Sequence, residues 1–98
     1  MRCRHANKTL RRIDEDPAFD GGYAANLVRA FRMRMQAIRA ASNENDLRAL
    51  KSLRFEKLKG DRKYQYSMRL NDQFRLIFQI EESARGNTIV VLAIEDYH

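Results

Sequence analysis

Residues 64–80 read Tyr64-Gln65-Tyr66-Ser67-Met68-Arg69-Leu70-Asn71-Asp72-Gln73-Phe74-Arg75-Leu76-Ile77-Phe78-Gln79-Ile80. Tyr64, Tyr66, Met68 and Leu70 alternate with Gln65, Ser67 and Arg69, and Phe74, Leu76, Phe78 and Ile80 alternate with Arg75 and Gln79. This two-residue period predicts two strands with one buried face each. The loop between them decides the register. Asn71-Asp72 alone would set Leu70 against Gln73 and Arg69 against Phe74, mixing the faces. A three-residue loop, Asn71-Asp72-Gln73, or an equivalent bulge, pairs Leu70 with Phe74, Met68 with Leu76 and Tyr66 with Phe78. It assigns Tyr64, Tyr66 and Phe74 to the core and sets Arg69 directly opposite Arg75 on the other face. Like charges so placed repel unless something negative joins them.

Downstream, Ser83 to Asn87 makes a turn, and Thr88 to Glu95 is apolar on both faces, as an interior strand is. Pairing across that turn sets Glu95 opposite Arg75. Two readings of the arginine pair follow: an internal Arg69–Arg75–Glu95 network, or a seat for a phosphate. The same register carries Asp96-Tyr97-His98 to the loop at 71–73.

Upstream, Gly60-Asp61-Arg62-Lys63 reads as a turn preceded by a short strand beginning at Phe55. Arg54 to Arg75 holds seven bases (Arg54, Lys57, Lys59, Arg62, Lys63, Arg69, Arg75) against Glu56, Asp61 and Asp72. A segment that both builds core and displays cations is a platform for a phosphate backbone.

The amino-terminal half reads as helix. Asn7 is placed to cap a short helix to Ile13, which Asp14-Glu15-Asp16-Pro17 ends. Ala24, Leu27, Phe31, Met35 and Ile38 form one apolar stripe at spacings of three and four, with Arg29, Arg32 and Arg39 off it and Arg34 at its margin. Those arginines are either solvated or contact RNA or a partner. Ser42 and Asn43 suit the cap of a further helix, about Asn45 to Leu53, carrying Leu47 and Leu50. Met1 to Ala6 is either a frayed end or a brief edge strand.

Ninety-eight residues suit one domain, 1–98, with one modest core. The net charge of +6 favours polyanionic partners. It is unevenly spread, with twelve bases and six acids in residues 1–54 and seven of each in 55–98. Cys3 is the sole cysteine, so an intrachain disulfide is excluded and a reducing cytoplasm is expected. Cys3, His5 and His98 offer no metal-ligand spacing. No apolar run reaches membrane-spanning length, and no hydrophobic region follows Arg2 and Arg4, so neither a membrane span nor a signal peptide is expected.

Three blocks carry a resemblance: Leu58-Lys59-Gly60-Asp61-Arg62, Tyr66 to Phe78, and Glu95-Asp96-Tyr97-His98 at the end. Together they resemble the HigB toxins of the RelE/ParE superfamily, also called plasmid maintenance killer proteins. The resemblance is specific from Arg54 to His98, weaker over the helices and poor before about Leu10. It implies an α+β, RelE-like microbial RNase fold, with two to three N-terminal helices packed on a twisted, mostly antiparallel sheet of about four strands. It implies a ribosome-dependent mRNA endonuclease, acting on mRNA in the ribosomal 30S A site and neutralised by a HigA-type helix-turn-helix antitoxin, with DNA reached only through that antitoxin. The superfamily's nucleases cleave without a metal or other cofactor, the RNA 2′-hydroxyl being the nucleophile.

Such cleavage needs a base for the 2′-hydroxyl proton, an acid for the departing 5′-oxygen and cations around the phosphorane. His98 suits either proton-transfer role. Asp96 would orient or charge the imidazole, and Tyr97 would stack on a base or donate a hydrogen bond. Arg75 is the choice for phosphate stabilisation, with Arg69 and Arg62 assisting and Lys57, Lys59 and Asn71 completing the RNA contacts. Some HigB members carry a second histidine just before the Leu-Lys-Gly-Asp-Arg block, where this chain reads Arg54-Phe55-Glu56-Lys57. Glu56 is then either the base or a strand salt-bridge partner. Two other classes compete: a ParE-like non-catalytic toxin that binds DNA gyrase, against which the terminal histidine argues, and a basic RNA-binding module without catalysis.

Overall fold

The computed structural model describes residues 1–62 and 64–96. Strand β1 (Arg2–His5) leads through Ala6 and Asn7 into helix α1 (Lys8–Glu15). Asn7 caps that helix, its side-chain oxygen accepting from the Leu10 amide at 3.0 Å. Gly21 and Gly22, both at positive φ, turn the chain into α2 (Ala25–Ala40), and α3 (Glu44–Ala49) follows, capped by Asn43. A 3₁₀ turn at Lys51–Leu53 then delivers the chain to β2 (Glu56–Lys57). After a second 3₁₀ turn at Gly60–Arg62 come β3 (Tyr66–Arg69), β4 (Phe74–Glu81) and β5 (Thr88–Asp96).

The described strands form one sheet in the order β1-β5-β4-β3-β2, parallel only between β1 and β5. This is the expected α+β arrangement, with one strand more than the four anticipated. Arg2–His5 supplies it, pairing in register from Arg2 with Thr88 to His5 with Val91. That pairing makes β5 an interior strand. One face of the sheet carries Met68, Leu76, Phe78, Ile89 and Val91, which pack against Leu10, Ile13, Leu27, Phe31, Met35 and Ile38 of the helices. The predicted α2 stripe is this contact, except that Ala24 is the exposed cap residue and Val28 joins the buried set.

The hairpin register is the predicted one: Tyr66 faces Phe78, Met68 faces Leu76 and Arg69 faces Arg75. Asn71 holds its turn, its side-chain oxygen accepting from the amides of Gln73 at 2.9 Å and Phe74 at 2.8 Å. Arg75 does face Glu95, but by a different route from the expected one. The loop before β5 spans residues 82–87, one longer than anticipated, and a bulge restores the pairing: Ile77 faces Ala93 while Phe78 faces Val91, leaving Leu92 extra. The bulge flips the alternation of β5, so that Ile89, Val91 and then Ile94 meet the core while Glu95 emerges on the open face.

Three further expectations are corrected. Tyr64 is 72% exposed rather than in the core, because the 3₁₀ turn delays β3 until Tyr66. The helix expected over Asn45 to Leu53 breaks at Leu50, which is extended (φ −85°, ψ 90°) and half exposed, so the buried leucines there are Leu47 and Leu53. Arg32 is not simply solvated: its guanidinium donates to the carbonyls of Ile13, Asp16 and Phe19 at 3.0, 3.1 and 3.0 Å and ties the end of α1 to α2.

Candidate functional site

The face of the sheet away from the helices carries Ser67 and Arg69 from β3, Arg75 from β4, Glu95 from β5 and Glu56 from β2, because each sits one position out of phase with a core residue. The geometry is set by side-chain reach as well as by register. Arg75, only 7% exposed, donates from Nη2 to Glu56 Oε2 at 2.9 Å. Arg62 crosses from the second 3₁₀ turn to grip Glu95 in a two-pronged pair, Nη1–Oε1 2.8 Å and Nη2–Oε2 2.5 Å, while its Nε donates to Gln65. Arg69 pairs with Asp72 of the hairpin turn. The expected Arg69–Arg75–Glu95 network is therefore corrected: Glu95 answers Arg62, and Glu56 pairs with Arg75. A guanidinium as buried as that of Arg75 requires such a partner, since an uncompensated charge there is costly.

Between these pairs lies an open groove of about 430 Å³ lined by Arg54, Glu56, Arg69, Asn71, Asp72, Gln73 and Arg75. Four predicted site residues, Arg75, Glu56, Arg69 and Asn71, thus meet around one hollow. Asn71 has committed its side-chain oxygen to the turn. Asp96 ends β5 opposite Phe74 and accepts from Gln73 Nε2 at 2.9 Å, so the last described residue stands at the groove's rim. His98, expected to transfer protons, and Tyr97, expected to stack on a base or donate a hydrogen bond, lie outside the described residues. Arg62 flanks the site through Glu95. Lys59 is exposed in the segment after β2 and does not line the groove, and Lys57 lies with Tyr64 and Tyr66 along a different depression.

Two arginines in this neighbourhood, named in the sequence reading only as part of larger sets, were not chosen as site residues. Arg54 lines the groove from a left-handed backbone conformation, φ 46° and ψ 55°, at the end of the first 3₁₀ turn. No glycine marks the position, so the pattern did not reveal that conformation. Arg34, at the margin of the α2 stripe, has its affinity for a proton lowered, first by burial and then by the charge of Arg69.

Chemically, the groove presents guanidinium groups beside a carboxylate that can accept a proton. Arg69 and Arg75 are held by neighbouring acids in a way that an incoming phosphate oxygen can replace. The first strand of the sheet, by contrast, buries a separate polar group far from this hollow in sequence and on the helical side. There Asp14 receives Arg39 through both oxygens and His5 Nε2 lies 3.2 Å away.

Comparison with known proteins agrees with this architecture. Residues 4–98 match the family model described as the RelE-like toxin of type II toxin–antitoxin system HigB. Toxin HigB-1 of Vibrio cholerae serotype O1 is 33% identical over 88 residues, covering 90% of this chain and 93% of that protein. Among solved structures, the YoeB/ParE toxin from Agrobacterium tumefaciens superposes over the full length of both chains with a TM-score of 0.59 at 17% identity, a likeness of fold. The family match spans nearly the whole chain and takes in every residue of the groove: the chain belongs to the HigB-like toxins of type II toxin–antitoxin systems.

Proposed function

We propose that this toxin is a ribosome-dependent mRNA endonuclease that cleaves by attack of the RNA 2′-hydroxyl on the adjacent phosphate, and that a HigA-type helix-turn-helix antitoxin neutralises it. The observation that carries the reading is the contact between Arg75 and Glu56 at 2.9 Å inside a groove lined by two further arginines. It supports the reading because a guanidinium suited to a phosphorane lies beside a carboxylate suited to take a proton.

In this mechanism the scissile phosphate enters between Arg69 and Arg75, displacing carboxylates from the guanidiniums. Arg75 faces the equatorial oxygens and stabilises the charge that grows there. Each such charge-assisted hydrogen bond contributes about 1.5–3 kcal/mol. Glu56, released from part of its pairing, accepts the 2′-hydroxyl proton. His98 follows Asp96 by two residues and protonates the departing 5′-oxygen, with Tyr97 supporting the base or the leaving group. The products are a 2′,3′-cyclic phosphate and a 5′-hydroxyl, so no water is consumed in the first step.

The test is inducible expression of wild type, Arg75→Ala and His98→Ala in a bacterial host, with growth followed and transcripts mapped by primer extension. Growth arrest with cut mRNA in wild type alone supports the reading. Arrest with intact mRNA in all three overturns it in favour of a toxin that acts by binding its target.

A further inference from the structure

Arg54 is a non-glycine residue at positive φ, at the position where a helical turn ends and glycine is the ordinary occupant. A side chain at such a φ crowds its own backbone, and neither a core contact nor a cap requires it here: Arg54 is exposed and its amide alone closes the turn, donating to Lys51 O at 3.1 Å. Nor does an ion pair among the described residues hold its guanidinium, whereas Arg75 and Arg69, the other arginines lining the groove, are held by Glu56 and Asp72. A residue whose backbone would be easier as glycine, and whose side chain lines a cationic hollow, is placed for what it binds rather than for the fold.

We infer that Arg54 is an RNA-phosphate-binding residue of the groove, contacting a backbone phosphate beside the scissile one through its guanidinium. The inference rests on the endonuclease reading above. The left-handed turn aims the residue into the groove two positions before Glu56, so the neighbouring phosphate is fixed relative to the proton acceptor. Arg54 thereby positions the ribose whose hydroxyl reacts.

The probe is a short fluorescein-labelled 2′-O-methyl RNA, which has no free 2′-hydroxyl and stays uncut. Its affinity is measured by anisotropy over a range of salt for wild type, Arg54→Gly, Arg54→Asn, Arg54→Lys and Arg75→Ala, with the melting temperature of each. Arg54→Gly and Arg54→Asn are expected to weaken binding about tenfold, the loss of one charge-assisted contact. They should also flatten the slope of log affinity against log salt by about 0.7, one phosphate contact on a single strand. Their melting temperatures should equal or exceed that of wild type, since both residues accept a left-handed backbone. Arg54→Lys should retain the slope. If Arg75→Ala weakens binding while Arg54→Gly and Arg54→Asn leave affinity and slope unchanged, the inference fails and the endonuclease reading survives. A wild type that shows no salt-dependent binding removes the inference, and the endonuclease reading then stands or falls by the transcript mapping.

Discussion

Arg69 stands directly opposite Arg75 across the β3–β4 ladder, and each guanidinium is turned to a carboxylate from a neighbouring segment, Asp72 for Arg69 and Glu56 for Arg75. Two like charges in register are tolerated because the resting groove supplies its own anions. The two acids differ in what surrounds them. Asp72 is almost fully exposed on the hairpin turn, whereas Glu56 is half covered and meets a buried arginine. That difference separates their expected substitution phenotypes.

Under the proposed function, Asp72→Asn removes an anion that would compete with RNA for Arg69. Binding of the uncut RNA analogue should tighten by about two- to fivefold, in keeping with the small energy of an exposed ion pair. Thermal stability should stay within about 0.5 kcal/mol of wild type. A weaker complex would mean that Asp72 contributes to binding instead of opposing it.

Glu56→Gln keeps the shape of the side chain and removes its charge. The melting temperature should fall by about 4–8 °C, corresponding to roughly 1 kcal/mol, because Arg75 loses a charged partner. Under the proposed role of Glu56 as proton acceptor, the substitution should also lower mRNA cleavage by about 10²–10⁴-fold. Cleavage that survives undiminished beside a lowered melting temperature would assign Glu56 to structure alone.

Arg32→Ala removes the donor that satisfies the carbonyls of Ile13, Asp16 and Phe19. The expected loss is ~2 kcal/mol, that of carbonyls left without partners, read as a melting temperature roughly 8–16 °C lower. Arg32→Lys should recover only part, since an ammonium cannot fork among spread acceptors. A full recovery by lysine would show that charge, and not the planar fork, holds the α1–α2 junction.

His5 supplies a pH dependence. Burial holds its pKa below the usual 6.5, against the opposing pull of Asp14; Arg39 adds to the lowering, while Glu15 opposes it and Arg11 adds to it more weakly. Below the ordinary histidine pKa the unfolded chain therefore binds a proton that the folded chain resists. The His5 contribution is fully present above about pH 6.5 and is lost as the pH falls from there through the depressed folded value. His5→Gln should have a flatter melting-temperature profile than wild type between about pH 7.5 and 5.5. Parallel profiles would show that other groups govern the acid limb.

The sheet was legible wherever one side chain in two had to be buried. The Met68–Leu76 and Tyr66–Phe78 pairs follow from alternation, and Asn71 identifies the turn between them. The α2 stripe was legible for the same reason at a helical period. Strand β1 was only half visible, because four residues, two exposed and two half-buried, are too few to separate an edge strand from a loose end. Tyr64 misled because the aromatic alternation begins two residues ahead of β3, in the connection that follows the 3₁₀ turn. The arginines were recognised as a set, but their partners were not. Which carboxylate a guanidinium reaches depends on loops, as Arg62 shows by taking Glu95 from across the site. Arg54 was counted among the cations of the platform, but its backbone conformation was not foreseen, since composition normally announces it with glycine.

The extra residue at Leu92 has a mechanical consequence. It lies between the connection at 82–87 and the stretch of β5 that ends at Glu95 and Asp96, and its carbonyl accepts from Asn7 Nδ2 at 3.4 Å. Insertions or deletions in that connection can be taken up at this kink without rotating the carboxylates of β5 toward the helices. A change of length in the connection would thereby leave the distal end of the strand in place, a form of mechanical insulation built from one aliphatic residue.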